Sequence, residues 1–126
     1  MRAPFAVLIF GAIVGNTAAL AAPSMPLAKE FAVCTGRLSA ELEHAWLMQD
    51  DQADLIEAQR AAMTDLLDAV TDTESQNRAL AWRIDAKAAH KALLRQATFD
   101  LHTERSSAAR RLSRAHIRVC TAFLLA

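Results

Sequence analysis

The sequence predicts an all-α fold: an antiparallel up-down four-helix bundle with one disulfide, following an N-terminal signal peptide. Three observations predict it. Helix breakers are scarce, with three glycines, three prolines and no tyrosine in 126 residues, while alanine is abundant. Apolar residues recur every three or four positions through most of the chain. The only two cysteines, Cys34 and Cys120, lie near opposite ends, and behind an export signal such a pair reads as one structural bridge.

Residues 1–21 have the three parts of a secretory signal peptide. Met1-Arg2-Ala3-Pro4 is a short basic start, Phe5 to Gly15 an apolar run, and Ala19-Leu20-Ala21 a small-x-small cleavage site. Residues 22–126 are then the mature helical domain, periplasmic or secreted. The alternative is an uncleaved anchor, because Phe5 to Ala22 nearly reaches the ~20 residues a span needs. The polar Asn16-Thr17 interruption and the alanine-rich end fit processing better. Phe31-Ala32-Val33 before Cys34 lacks the small residues that lipidation of that cysteine requires.

In the mature chain, Ser24-Met25-Pro26 predicts a helix start, with serine as cap and proline in the first turn. Leu27, Phe31, Cys34, Leu38, Leu42 and Ala45 make its apolar stripe, and Asp50-Asp51 breaks it. Gly36 costs this helix about 1 kcal/mol relative to alanine. With Ala40 it forms a small face where a neighbouring helix can approach. Either aspartate can cap the second helix, whose apolar positions are Leu55, Ile56, Met63, Leu66, Leu67 and Val70. Thr73-Glu74-Ser75-Gln76 matches a capping box and predicts the next boundary. The third helix carries Leu80, Ile84, Ala88, Leu94, Ala97 and Leu101. A break is predicted near Thr103, with Thr103, Ser106 and Ser107 as candidate caps; a kinked continuous helix is the alternative. Leu112, His116, Val119, Cys120, Phe123 and Leu124 form the last stripe.

The cysteines check this topology. Each sits about 10 Å from the same end of the bundle at 1.5 Å rise per residue, so in antiparallel helices one and four the sulfurs come level.

Composition excludes more functions than it suggests. Zero formal charge gives no support for nucleic-acid binding. Glu41 and His44 have the Glu-x-x-His spacing of di-iron bundles, but no second copy precedes His90, His102 or His116; a surface or half-buried helix pair is expected instead. A small exported bundle also invites comparison with periplasmic b-type cytochromes, whose haem methionine and histidine have Met25 and His116 as nearest counterparts. Covalent haem lacks its Cys-x-x-Cys-His motif. His116 is expected to be a core histidine with a hydrogen-bond partner, and no cofactor is expected. No nucleophile elbow or glycine-rich phosphate loop is present.

The best functional hint is charge. Residues 27–72 hold ten acidic and three basic side chains, and residues 73–126 hold four and ten. Arg110, Arg114 and Arg118, with Arg111 beside them, make one basic stripe on the last helix. That stripe is expected to be solvated and to pair with the acidic first helix, or else to meet an anionic protein surface or lipid head groups.

The pattern Cys34-x-Gly36-Arg37 followed by Glu43-His44-x-Trp46, with a distal cysteine, resembles small exported helical proteins of alphaproteobacteria. That resemblance implies export and a helical fold and carries no activity. The function expected is a non-catalytic binding or accessory module of the cell envelope; the alternative is a small haem or metal carrier using Glu41, His44 or His116.

Overall fold

The computed structural model of the chain describes residues 25–126, with side chains from Leu27 onward. The leader at 1–21, its cleavage site, the Ser24 cap and the Met25 side chain lie outside the described residues. Four helices follow in order, α1 Met25–Met48, α2 Ala53–Val70, α3 Gln76–Phe99 and α4 Thr103–Leu124. They form the expected up-down bundle, joined by connections of a few residues.

The boundaries fall where the sequence places them, but other side chains make them. α1 ends with Gln49 in the left-handed region at φ 54°. The Asp50 N–H donates to Ala45 O at 2.8 Å and the Gln49 N–H to Trp46 O at 3.2 Å, a Schellman closure. Asp50 then turns the chain, its Oδ1 accepting the Gln52 N–H at 2.9 Å. At the next boundary the reciprocal pair is Asp72 and Ser75, one residue ahead of the Thr73/Gln76 box. The Asp72 carboxylate accepts the Ser75 N–H at 2.8 Å, and Ser75 Oγ accepts the Asp72 N–H at 3.1 Å. A carboxylate is the better acceptor for an orphan helix donor, which explains the shift. The last break is a true one: Asp100 Oδ1 accepts the His102 N–H at 2.8 Å and its carboxylate also holds Arg105. Ser106 bonds back to Thr103 O instead of capping.

α1 is the central helix. It packs most extensively on α3, which runs parallel to it, and then on α2; the α2 and α3 backbones do not approach closely, although Leu67 and Ala79 share one core cluster. Gly36 allows the close approach. A Cβ built there would overlap the Arg83 carbonyl oxygen of α3 and come within 3.0 Å of the Lys87 nitrogen and 3.1 Å of the Ala86 Cβ. The α3 face selected by this approach carries Ala79, His90, Leu94 and Ala97, all buried. Leu80 and Ile84, expected in the core, are exposed. Leu55, Leu101, Leu112 and Val119 are likewise exposed, against expectation. A core built by close backbone approach takes small side chains and leaves some large ones outside.

α4 meets α1 at the bridge. Cys34 and Cys120 are bonded, with Cα atoms 5.3 Å apart and both residues fully buried. Phe31 and Phe123 stack edge to face beside them at 5.3 Å, and Leu38, Met63 and Leu67 complete the cluster. Closing a loop this long contributes about 4 to 5 kcal/mol in the chain-entropy account. The Gly36 contact gives a direct test. Gly36→Ala should lower stability by about 2 kcal/mol in urea unfolding, because steric overlap with fixed backbone outweighs the gain in helix propensity. A stabilised variant would show that α3 can withdraw.

Candidate functional site

Parallel packing from Gly36 onward brings successive turns of α1 against matching turns of α3. Glu41 Oε1 lies 2.7 Å from His90 Nε2, whose ring is almost fully buried. With the carboxylate as acceptor, Nε2 donates. One turn on, His44 Nε2 is 3.2 Å from Thr98 Oγ1, while Glu43 pairs with Lys87 and, at 3.6 Å, with Lys91. Glu41 and His44 therefore do not form the expected pair. A bond from Glu41 to a buried ring is worth more than an exposed contact along one helix.

His116 reaches the other side of His90, with ring centroids 5.9 Å apart. It is half-buried, and it lacks the expected partner. The Nδ1 atoms of His90 and His116 are both buried with no hydrogen-bond partner among the described residues. Burial, then the nearby Arg37 guanidinium and His90, holds the His116 pKa below its ordinary value. Both residues border a cleft of about 460 Å³ between α1, α3 and α4. Its rim carries Lys29, Arg37 and Asp85, and Lys29 Nζ stands 5.9 Å from the centroid of Trp82. Among the described residues no three His, Cys, Asp or Glu side chains converge closely enough to hold a metal ion.

The arginine stripe of α4 divides. Arg110 Nη2 donates to Ala97 O at 3.0 Å, at the last turn of α3, where carbonyls lack helical partners and the helix dipole favours a cation. Arg114 and Arg118 are exposed and line a different groove, of about 390 Å³, between α1, α2 and α4. Its apolar lining is Leu38, Ile56 and Ile117, with Glu41 and Gln59 also facing it. No carboxylate lies within 4.0 Å of Arg110, Arg111, Arg114 or Arg118 among the described residues. The expected pairing of the stripe with α1 does not form, because the Glu43 carboxylate is taken by the lysines of α3.

No protein-family model, curated protein or solved structure matches the chain. The site therefore has to be read from its own geometry. His90 and Arg37 were missed as site residues in the sequence. The signal for His90 was a second stripe on α3, Ala79, Arg83, Ala86, His90, Leu94 and Ala97, hidden by the more apolar Leu80 and Ile84.

The depressed His116 pKa makes a stability prediction. Between that lowered value and the ordinary 6.5, the unfolded chain binds a proton that the folded chain does not. Stability should thus be full above pH about 6.5 and fall as the pH drops towards the folded value. His116→Gln should remove this slope in urea midpoints taken across that range. Glu43, Asp72 and Asp100 are also held below their ordinary values, first by hydrogen bonds from Lys87, Ser75 and the His102 N–H respectively.

Proposed function

We propose that the chain is a non-catalytic binding module of the cell envelope, exported to the periplasm, whose working surface is the arginine-lined groove between α1, α2 and α4. One observation carries this reading: Arg114 and Arg118 stand exposed beside apolar Leu38, Ile56 and Ile117, with no carboxylate within 4.0 Å among the described residues and the groove's one acid, Glu41, bonded to His90. A guanidinium pair above an apolar floor suits an acidic, amphipathic segment of a partner protein. Arg110 belongs to the helix end and is not part of this surface. The buried disulfide supports an oxidising compartment.

A photo-crosslinker at Gln59, which lines the groove, should capture a discrete partner in the envelope. Arg114→Glu with Arg118→Glu should abolish that product and weaken the purified complex by about tenfold or more, while leaving helicity unchanged. Binding by the unaltered protein should also weaken as salt is raised. Equal capture by the double variant would refute the groove as the working surface. Capture replaced by equally salt-sensitive binding to phosphatidylglycerol vesicles would assign the arginines to lipid. Export is checked separately: protein from the envelope should begin at or near Ala22, and an intact Met1 would restore the anchor.

The second reading, a small haem or metal carrier, is supported by the adjacency of His90 and His116 in the cleft. It requires a haem band, or stoichiometric metal, that is lost on His116→Ala.

A further inference from the structure

Six of the twelve exposed large apolar side chains among the described residues collect at one end of the bundle. Trp46, Leu47 and Met48 close α1, Leu55 lies in the first turn of α2, and Phe99 and Leu101 end α3. Because α1 and α3 run parallel, their last turns lie side by side. Leu47 and Phe99 line one depression of about 310 Å³, together with Lys91 and Arg95. Leu101 is 99% exposed, so the fold gains nothing from a leucine there. Single exposed apolar side chains are ordinary, but a group of this size at one place marks a contact surface.

Charges of opposite sign flank this apolar end. Lys91 and Arg95 lie on the last three turns of α3, while Asp50 and Asp51 lie in the first connection and Asp54 in the first turn of α2. The α2 and α3 backbones stay apart on different sides of α1, so acids and bases stand on different sides of the patch. The three aspartates are exposed, with no cation within 4.0 Å among the described residues. Arg95 likewise has no carboxylate in that range, and Lys91 shares Glu43 with Lys87. Asp100, at the same end, is instead paired with Arg105.

These charges decide what can cover the end. Its aromatic and aliphatic side chains would suit a bilayer interface. Asp50, Asp51, Asp54 and the exposed Glu104 would then face lipid phosphates of their own sign. A wholly acidic or wholly basic partner meets the same conflict on one side. A second copy of this chain does not. A two-fold axis through the apolar end sets the bases of one chain against the acids of the other, and symmetry supplies the reverse contact. The apolar side chains are then buried between the two ends, ringed by unlike charges.

We propose that the chain self-associates end to end as a two-fold dimer, with Leu47, Phe99 and Leu101 at its centre. Lys91 and Arg95 of each copy face the partner's Asp51 and Asp54. This surface shares no residue with the groove between α1, α2 and α4, and either reading can fail without the other.

Sedimentation equilibrium of the mature protein, its disulfide intact, should show a monomer–dimer equilibrium between about 10 μM and 1 mM. Raised salt should weaken it. Lys91→Glu with Arg95→Glu should leave the protein monomeric, and so should Asp51→Lys with Asp54→Lys, because each places like charges together at both contacts. Mixed in equal amounts, the two variants should recover the dimer, since every contact is then between unlike charges. Leu101→Asp alters a side chain that the fold does not bury; it should also give monomer, and it decides if a charge variant does not fold. Arg114→Glu with Arg118→Glu should leave association unchanged. The proposal is overturned by monomer alone throughout that range, by dimers that survive both charge reversals, or by mixed variants that stay monomeric. It is equally overturned by binding to phosphatidylglycerol vesicles, lost on Leu101→Asp, in place of association.

Discussion

The contact of Gly36 with the α3 backbone at Arg83 and Lys87 determines how near α1 and α3 can come, and most of the architecture follows from that separation. Helices ordinarily pack 8–10 Å apart according to the side chains between them; a glycine against a carbonyl lies at the close limit. The two helices brought together are parallel, so like ends of their dipoles lie side by side, a small electrostatic cost. Arg110, donating to the last turn of α3, offsets part of it. Because α1 and α3 fill the centre, α2 is held to one side of α1 and its backbone stays apart from that of α3. The exposed Leu80 and Ile84 are the consequence.

The same separation arranges the charges. Lysines on α3 take the acid Glu43 of α1, and the acidic side chain of Glu41 goes inward to His90. Arg114 and Arg118 of α4 are left with no carboxylate within 4.0 Å among the described residues, since α4 meets α1 mainly around a disulfide and an aromatic pair. The uneven division of acids and bases along the chain is thus only partly neutralised inside the bundle. Basic side chains remain beside α4 at two places of different character: one open and shallow beside Ile117, the other narrowed by Trp82 and two imidazoles.

The number, order and ends of the helices were legible in the sequence, because scarcity of breakers and the boundary residues near Asp50, Asp72 and Thr103 act locally. The bridge was legible too, since equal distances from one end follow from helical rise alone. Which residue caps was less so. Thr73/Gln76 and Asp72/Ser75 overlap by all but one position, and only the stronger acceptor decides between them. The face of α3 was misread for a deeper reason. Periodicity ranks faces by hydrophobicity, whereas Gly36 selects by size, favouring Ala79, Ala86 and Ala97 over Leu80 and Ile84. His90 lay on the selected face and went unnoticed. Pairings between helices, such as Glu41 with His90 or Arg110 with Ala97 O, depend on that choice and have no signature within a single segment.

The bridge has a further consequence for the covalent shape of the molecule. From Cys34 to Cys120 the backbone and the two sulfurs form a closed ring, from which both tails leave at the same end of the bundle. The connections at 49–52, 71–75 and 100–102 are the exposed places at which a protease can cut. Any one such cut opens the ring without dividing the molecule. The pieces can separate only after a reductant reaches sulfurs on residues with no exposed surface. A single nick would leave the helices tethered and able to re-pack, a tolerance that none of the noncovalent contacts provides.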